Sequence, residues 1–185
     1  MTRTIGIRRE DKNIWERRVP LIPRDLQQIL QAQDLAAVVQ PYPARVFDDE
    51  AYRQAGAQVS EDLSGCDLVL AVKEIPERLF VRGGAYLFFS HTIKAQPYNM
   101  AMLRRLMELG CTLIDYERIT DDQGRRLVFF SRQAGQAGLL DTLHLLGARL
   151  ASEGLETPFS DLKMAYGYAS LDEAKAALSE VAVRL

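Results

Sequence analysis

Two apolar runs constrain this chain more than any other feature: LVLAV at 68–72 and AYLFF at 85–89. Neither alternates between apolar and polar residues. A strand built from either must therefore be buried on both faces, which is the condition of a parallel sheet covered by helices. The remaining segments fit that architecture. TIGI (4–7) predicts a first strand, and PRDLQQILQAQ (23–33) predicts a helix that places Leu26, Ile29 and Leu30 on one face and begins with proline. AAVVQ (36–40) reads as a strand and DDEAYRQAG (48–56) as a helix stopped by Gly56. DLVLAV and AYLFF follow as strands, then YNMAMLRRLMELG (98–110) as a helix ended by Gly110. CTLIDYE (111–117) predicts a strand, and RLVFF (126–130), beyond the turn chemistry of TDDQGRR, predicts another that pairs antiparallel with it. A long helix over about 133–152 and a last one over 171–185 complete the reading. Strands alternating with helices give an α/β fold: a Rossmann-like, mostly parallel sheet with helices on both faces.

A chain of 185 residues can build one domain with a substantial core, burying roughly 70% of the surface that its unfolded form exposes. The expectation is a single substrate-binding domain over 1–185, with a helical extension from about residue 132. A net charge of −2, with basic residues scattered in ones and twos, argues against a nucleic-acid surface. No apolar run approaches a membrane span and the first residues lack a secretory core, so a cytoplasmic protein is expected. Cys66 and Cys111 adjoin apolar strands without metal-ligand spacing, which reads as small buried hydrophobes in a reducing compartment. No metal site is expected.

In an open parallel sheet, ligands bind outside the carboxyl ends of the strands. Arg8 ends the first strand, Lys73 and His91 end two central ones, and Glu117 ends TLIDY. Each alone could be an ordinary polar residue in a loop. Four brought to one edge describe a site, and a lysine–histidine pair there can exchange protons with an amine, an imine or a carbonyl. His144, between Leu143 and Leu145, reads as structural. AGQAG (134–138) is not the G-x-G-x-x-G dinucleotide fingerprint, and its glycines, Gly135 and Gly138, read as allowing close helix packing.

ERRVPLIP (16–23), VKEIP (72–76) and a strand ending in histidine resemble the N-terminal domain shared by alanine dehydrogenases, transhydrogenases and lysine-forming saccharopine dehydrogenases. RREDKNIWERRVPLIP, FFSHTIKAQ, IDYERITDDQGRR and AGQAG resemble the saccharopine-forming branch in particular, including lysine–2-oxoglutarate reductase. The resemblance covers essentially the whole chain. It implies that Lys73 and His91 do the acid–base work and that Arg18 holds a substrate carboxylate. It further implies that Glu74 and Glu117 tune the pair and that Lys94 lies near the substrate. The implied reaction condenses the ε-amine of lysine with 2-oxoglutarate and reduces the imine with NAD or NADP. That cofactor sits, in the resembling enzymes, on a separate dinucleotide-binding domain whose fingerprint is missing here, so no cofactor is expected on this chain alone. The expected partners are an amino acid, a 2-oxo acid and a cofactor-domain subunit; self-association is left open. A ligand-binding or regulatory module of the same fold, and the alanine dehydrogenase or transhydrogenase branch, stand as alternatives.

Overall fold

The computed structural model describes residues 2–185, and the chain divides into two compact units after Val128. The first unit is a six-stranded sheet: β1 (Arg3–Ile7), β2 (Leu35–Val39), β3 (Gln58–Val59), β4 (Leu68–Leu70), β5 (Ala85–Phe88) and β6 (Thr112–Asp115). The order is β3-β2-β1-β4-β5-β6, and every pairing is parallel. This is the doubly wound Rossmann order, with its switch point between β1 and β4. Three helices cover the sheet: α1 (Pro23–Ala32), α2 (Asp49–Gln54) and α3 (Pro97–Glu108).

The two central runs are buried on both faces, as their composition requires. Leu70 packs with Ile7, Val39, Leu26 of α1 and Tyr52 of α2, whereas Val69 and Ala71 pack on the opposite side with Tyr86, Phe88, and Met102 and Leu106 of α3. Each such side chain, fully buried, contributes roughly 1.5–3 kcal/mol. Gly56 and Gly110 stop their helices at φ +95° and +63°, a left-handed geometry that glycine adopts without strain.

The structure corrects several expectations from sequence. β4 stops at Leu70 instead of running to Val72, because the Glu10 carboxylate takes the N–H groups of Val72 and Lys73 at 2.5 and 2.9 Å. RLVFF forms no strand. Only an isolated antiparallel bridge joins Thr120 to Arg126, across a turn whose Asp121 carboxylate accepts from the N–H groups of Gln123 and Arg125. That small hairpin forms beyond the end of β6, so the apolar residues after it have no neighbouring strand: Leu127 stays exposed. β3, two residues long, is too short for periodicity to reveal.

The second unit contains α4 (Ser131–Ser152) and α5 (Leu171–Val183), linked through short 3₁₀ turns at Pro158–Asp161 and Ala165–Gly167. Ser170 caps α5 by accepting the Glu173 N–H, and Glu173 reaches back to the Ala169 N–H, a reciprocal arrangement that satisfies two donors at the helix start. His144 is structural, its Nδ1 meeting the Leu162 carbonyl at 2.7 Å. Gly135 and Gly138 do not mediate close packing, since a Cβ at either would meet nothing within 4 Å. The tight position is Gly147, where a Cβ would lie 2.6 Å from the Phe159 backbone carbon. Gly147→Ala should therefore lower the unfolding free energy by about 1–3 kcal/mol through overpacking. Gly138→Ala should instead raise it by roughly 0.5–1 kcal/mol through helix propensity. Urea unfolding of both variants checks the pair, and a common sign for the two would contradict it.

Candidate active site

The ionisable side chains expected at the site gather where β1, β4, β5 and β6 run out. β4 and β5 pair Leu70 with Leu87, and the contact continues past the strands through the N–H of Phe89 on the Val72 carbonyl. The loops carrying Lys73 and His91 thus leave the sheet side by side, at the spacing of adjacent strands, about 4.8 Å.

Around the Lys73 loop the organising group is Glu10, which the sequence reading passed over. It is 2% exposed and clamps the loop after β1 to the loop after β4. Burial raises its pKa above the carboxylate norm, against the two backbone N–H bonds and the charge of Arg8. Beside it, Glu16 binds Arg18 in a bidentate pair, Nε to Oε1 and the second terminal nitrogen to Oε2, both at 2.7 Å. Burial pushes the Glu16 carboxyl up, but the Arg18 hydrogen bonds and charge, with help from the Lys73 ammonium, hold it below the usual range. Arg18, expected as the carboxylate binder, is held by Glu16 on the exposed side of this cluster. Arg8, expected at the same edge, is instead buried and donates to the Arg9 carbonyl and to Asp11 at 2.5 and 2.6 Å. It braces the loop.

Around His91 the organising group is Glu117, which sits in a 3₁₀ turn (Tyr116–Arg118) and not at the end of a strand. β6 ends one residue sooner than the turn begins, because the Asp115 side chain accepts the Glu117 N–H at 2.8 Å and draws the backbone round. The Glu117 side chain is 6% exposed. One oxygen meets His91 Nδ1 at 3.2 Å, and the other meets Lys94 Nζ at 3.4 Å and an Arg126 nitrogen at 3.2 Å. Glu74 pairs with Lys12 at 2.6 Å and feels the charge of His91, which joins the two halves of the site electrostatically. Burial works to raise the Glu74 carboxyl, but the Lys12 hydrogen bond and charge, a backbone hydrogen bond and the charge of His91 together hold it below the usual range. Phe89 stacks on His91 and meets Tyr116 at a tilt of 44°, with ring centroids 6.2 and 4.9 Å apart. Burial and the nearby Glu10 charge push the Tyr116 phenol up to about 12, so it is a hydrogen-bond donor throughout the neutral range.

Lys73, Glu74, His91, Lys94, Glu117 and Arg18 therefore lie on loops at one edge of the sheet, in two linked clusters. Glu10, Glu16, Lys12, Asp115 and Arg126 belong to the same clusters. Glu10 lies three residues beyond β1 and Asp115 closes β6, so an acid near a strand's end was the signal for these two.

Burial works to raise the Glu117 carboxyl, but the hydrogen bond and charge of His91, and the charge of Lys94, hold it below the usual range. A depressed carboxylate stabilises the fold above its unfolded value, about 4.3, and that contribution is lost as pH falls through the lower folded value. The difference in stability between wild type and Glu117→Gln should accordingly shrink on acidification below about pH 4.3. Urea midpoints measured down that limb test this; a gap that stays constant would contradict it.

The first turn of the sheet does not suit a dinucleotide. A long loop, not a glycine turn, follows β1, and α1 opens with Pro23, which lacks an N–H, and carries Asp25 in its first turn. Such a helix start offers a pyrophosphate fewer donors and a repelling charge.

An all-parallel sheet in the doubly wound order, with ionisable groups at its carboxyl edge, defines an α/β domain of the Rossmann-like class. The chain belongs to the family described as alanine dehydrogenase/PNT, N-terminal domain, whose model matches residues 6–137. It is 43% identical over 182 residues to the alpha-aminoadipic semialdehyde synthase of Arabidopsis thaliana, covering 96% of this chain and 17% of that protein. It is 40% identical over 176 residues to the mitochondrial alpha-aminoadipic semialdehyde synthase of Rattus norvegicus, covering 95% of this chain and 19% of that protein. The saccharopine dehydrogenase [NAD(+), L-lysine-forming] of Neurospora crassa is 32% identical over 139 residues, covering 72% of this chain and 37% of that enzyme. The chain thus spans less than a fifth of the length of the first two relatives. Among solved structures, an L-alanine dehydrogenase shares the fold with a TM-score of 0.61 at 23% identity, over 82% of this chain and 42% of that one. Among the described residues, no helix is long and apolar enough to cross a membrane.

Proposed function

We propose that this chain is the substrate-binding and proton-transfer half of an NAD(P)-dependent saccharopine-type amino-acid dehydrogenase, acting in the cytoplasm on lysine or a similar amine and 2-oxoglutarate. The observation that carries this is that the Lys73 and His91 loops leave β4 and β5 side by side, with buried Glu10 holding the backbone N–H of Lys73 and buried Glu117 on the ring of His91. Condensing an amine with a 2-oxo acid demands protons at two places: on the hydroxyl that leaves as water, and off the nitrogen that becomes the imine. With Nδ1 committed to Glu117, the nitrogen of His91 left for exchange is Nε2. Arg18, preset by Glu16, offers a guanidinium fork to a substrate carboxylate, and Lys94 supplies a second cation beside the pair. The hydride comes from a nicotinamide held on a separate domain or subunit, and no residue of this chain is assigned to carry it.

The test joins the chain to a cofactor-binding domain from a saccharopine dehydrogenase and follows NADPH or NADH consumption with lysine and 2-oxoglutarate. Saccharopine should accumulate in step with cofactor oxidation. Turnover with pyruvate and ammonia, and none with lysine, would move the chain to the alanine dehydrogenase branch.

A further inference from the structure

We propose that Asp115 is the positioning residue that sets His91 against Glu117, an inference that rests on the acid–base reading of His91 given above. Asp115 closes β6, pairs across the ladder with Phe88 of β5 and is 7% exposed. Its two oxygens face different loops. Oδ1 accepts the backbone N–H of Glu117, and Oδ2 accepts the hydroxyl of Ser90, which is completely buried. The same Ser90 oxygen accepts the Thr92 N–H at 3.2 Å and lies 2.8 Å from the Thr92 hydroxyl. One carboxylate is therefore linked to both neighbours of His91 and to the backbone of its partner.

This matters because His91 is held in the left-handed region, at φ +53°. A residue with a Cβ pays about 1–2 kcal/mol for that conformation, which persists only where surrounding contacts over-determine it. The Ser90–Thr92 clamp spans the strained residue, and Asp115 anchors the clamp. The anchor also aims the ring: it fixes the turn that carries Glu117, so that the Glu117 carboxylate meets Nδ1 and selects the tautomer. An acid suits the position better than an amide because both links need an acceptor oxygen, and Asn has one.

The chain contains two histidines, so the test is direct. Nitrogen-15 spectra of the histidine-labelled chain give one ring pattern for His91, identified by its loss in His91→Gln, and one for His144 as an internal control. Wild type should show His91 in a fixed Nδ1–H tautomer. In Asp115→Asn and in Ser90→Ala that pattern should shift toward averaged tautomers while His144 is unmoved. Ser90→Ala removes one link only and decides the matter if Asp115→Asn fails to fold. A lowered melting temperature with the His91 pattern intact in the folded variants would reduce Asp115 to a structural residue and overturn the proposal. Because this readout needs no turnover, it succeeds or fails separately from the assignment of the reaction.

Discussion

Lys73→Met and His91→Gln, each made in the chain joined to a cofactor-binding domain, should lower turnover by about 10²–10⁴-fold, the usual contribution of a positioned general acid or base. Both residues are only partly buried on loops leaving adjacent strands, and His91 gives up one ring contact with Phe89, so neither change opens the core. Unfolding free energies should stay within about 1 kcal/mol of wild type. The double variant should lose less than the product of the single losses, because groups that act as a unit are not additive. Steady-state kinetics on the three variants, beside urea unfolding, separates the roles. Wild-type turnover in both single variants would end the catalytic assignment and favour a binding module of the same fold.

Glu10→Ala should produce the largest loss of stability. Its carboxylate is the acceptor for the N–H groups of Val72 and Lys73, and Val72 is buried. A buried donor left without a partner costs roughly 1–3 kcal/mol, and the alanine leaves one such donor at Val72 and a partly buried one at Lys73. Part of that loss is offset, because burial already disfavours the charged form of Glu10 in the folded state. Glu10→Gln keeps the shape but can accept only one of the two N–H groups through its carbonyl, so it should fall between alanine and wild type. Denaturant titrations of the three proteins at neutral pH give the order directly. Equal stability of the alanine variant and wild type would mean that water replaces the carboxylate at both donors.

The sheet was legible in the sequence because burial on two faces leaves a continuous apolar run, and the runs at 68–72 and 85–89 could not have belonged to a half-exposed sheet. Strand ends were less legible. β4 is cut short by a carboxylate far earlier in the chain, and no local pattern around Val72 announces a bond to Glu10. RLVFF has the composition of a strand but lacks a neighbour to pair with, and pairing depends on where the hairpin stands. Of the residues at the carboxyl edge of the sheet, Lys73, His91 and Glu117 were legible because each follows an apolar run. Glu10, Glu16 and Asp115 lay inside quoted motifs without being singled out, since an acid in a loop is ordinarily solvated, and burial is what distinguishes these three. The glycines at 135 and 138 were misread for a related reason. Spacing identifies a helix face, but it does not say whether anything packs there.

The Glu10 clamp has a consequence for when the site is made. Bonds from Glu10, Glu117 and Asp115 to the loops around Lys73 and His91 all arise between residues 10 and 117. The left-handed turn at His91 and the early end of β4 are thus settled as the first unit folds, before any substrate arrives. The cost of ordering the loops that carry Lys73 and His91 falls on folding and not on affinity, which is the condition under which the proposed site can spend its binding interactions on the reacting atoms.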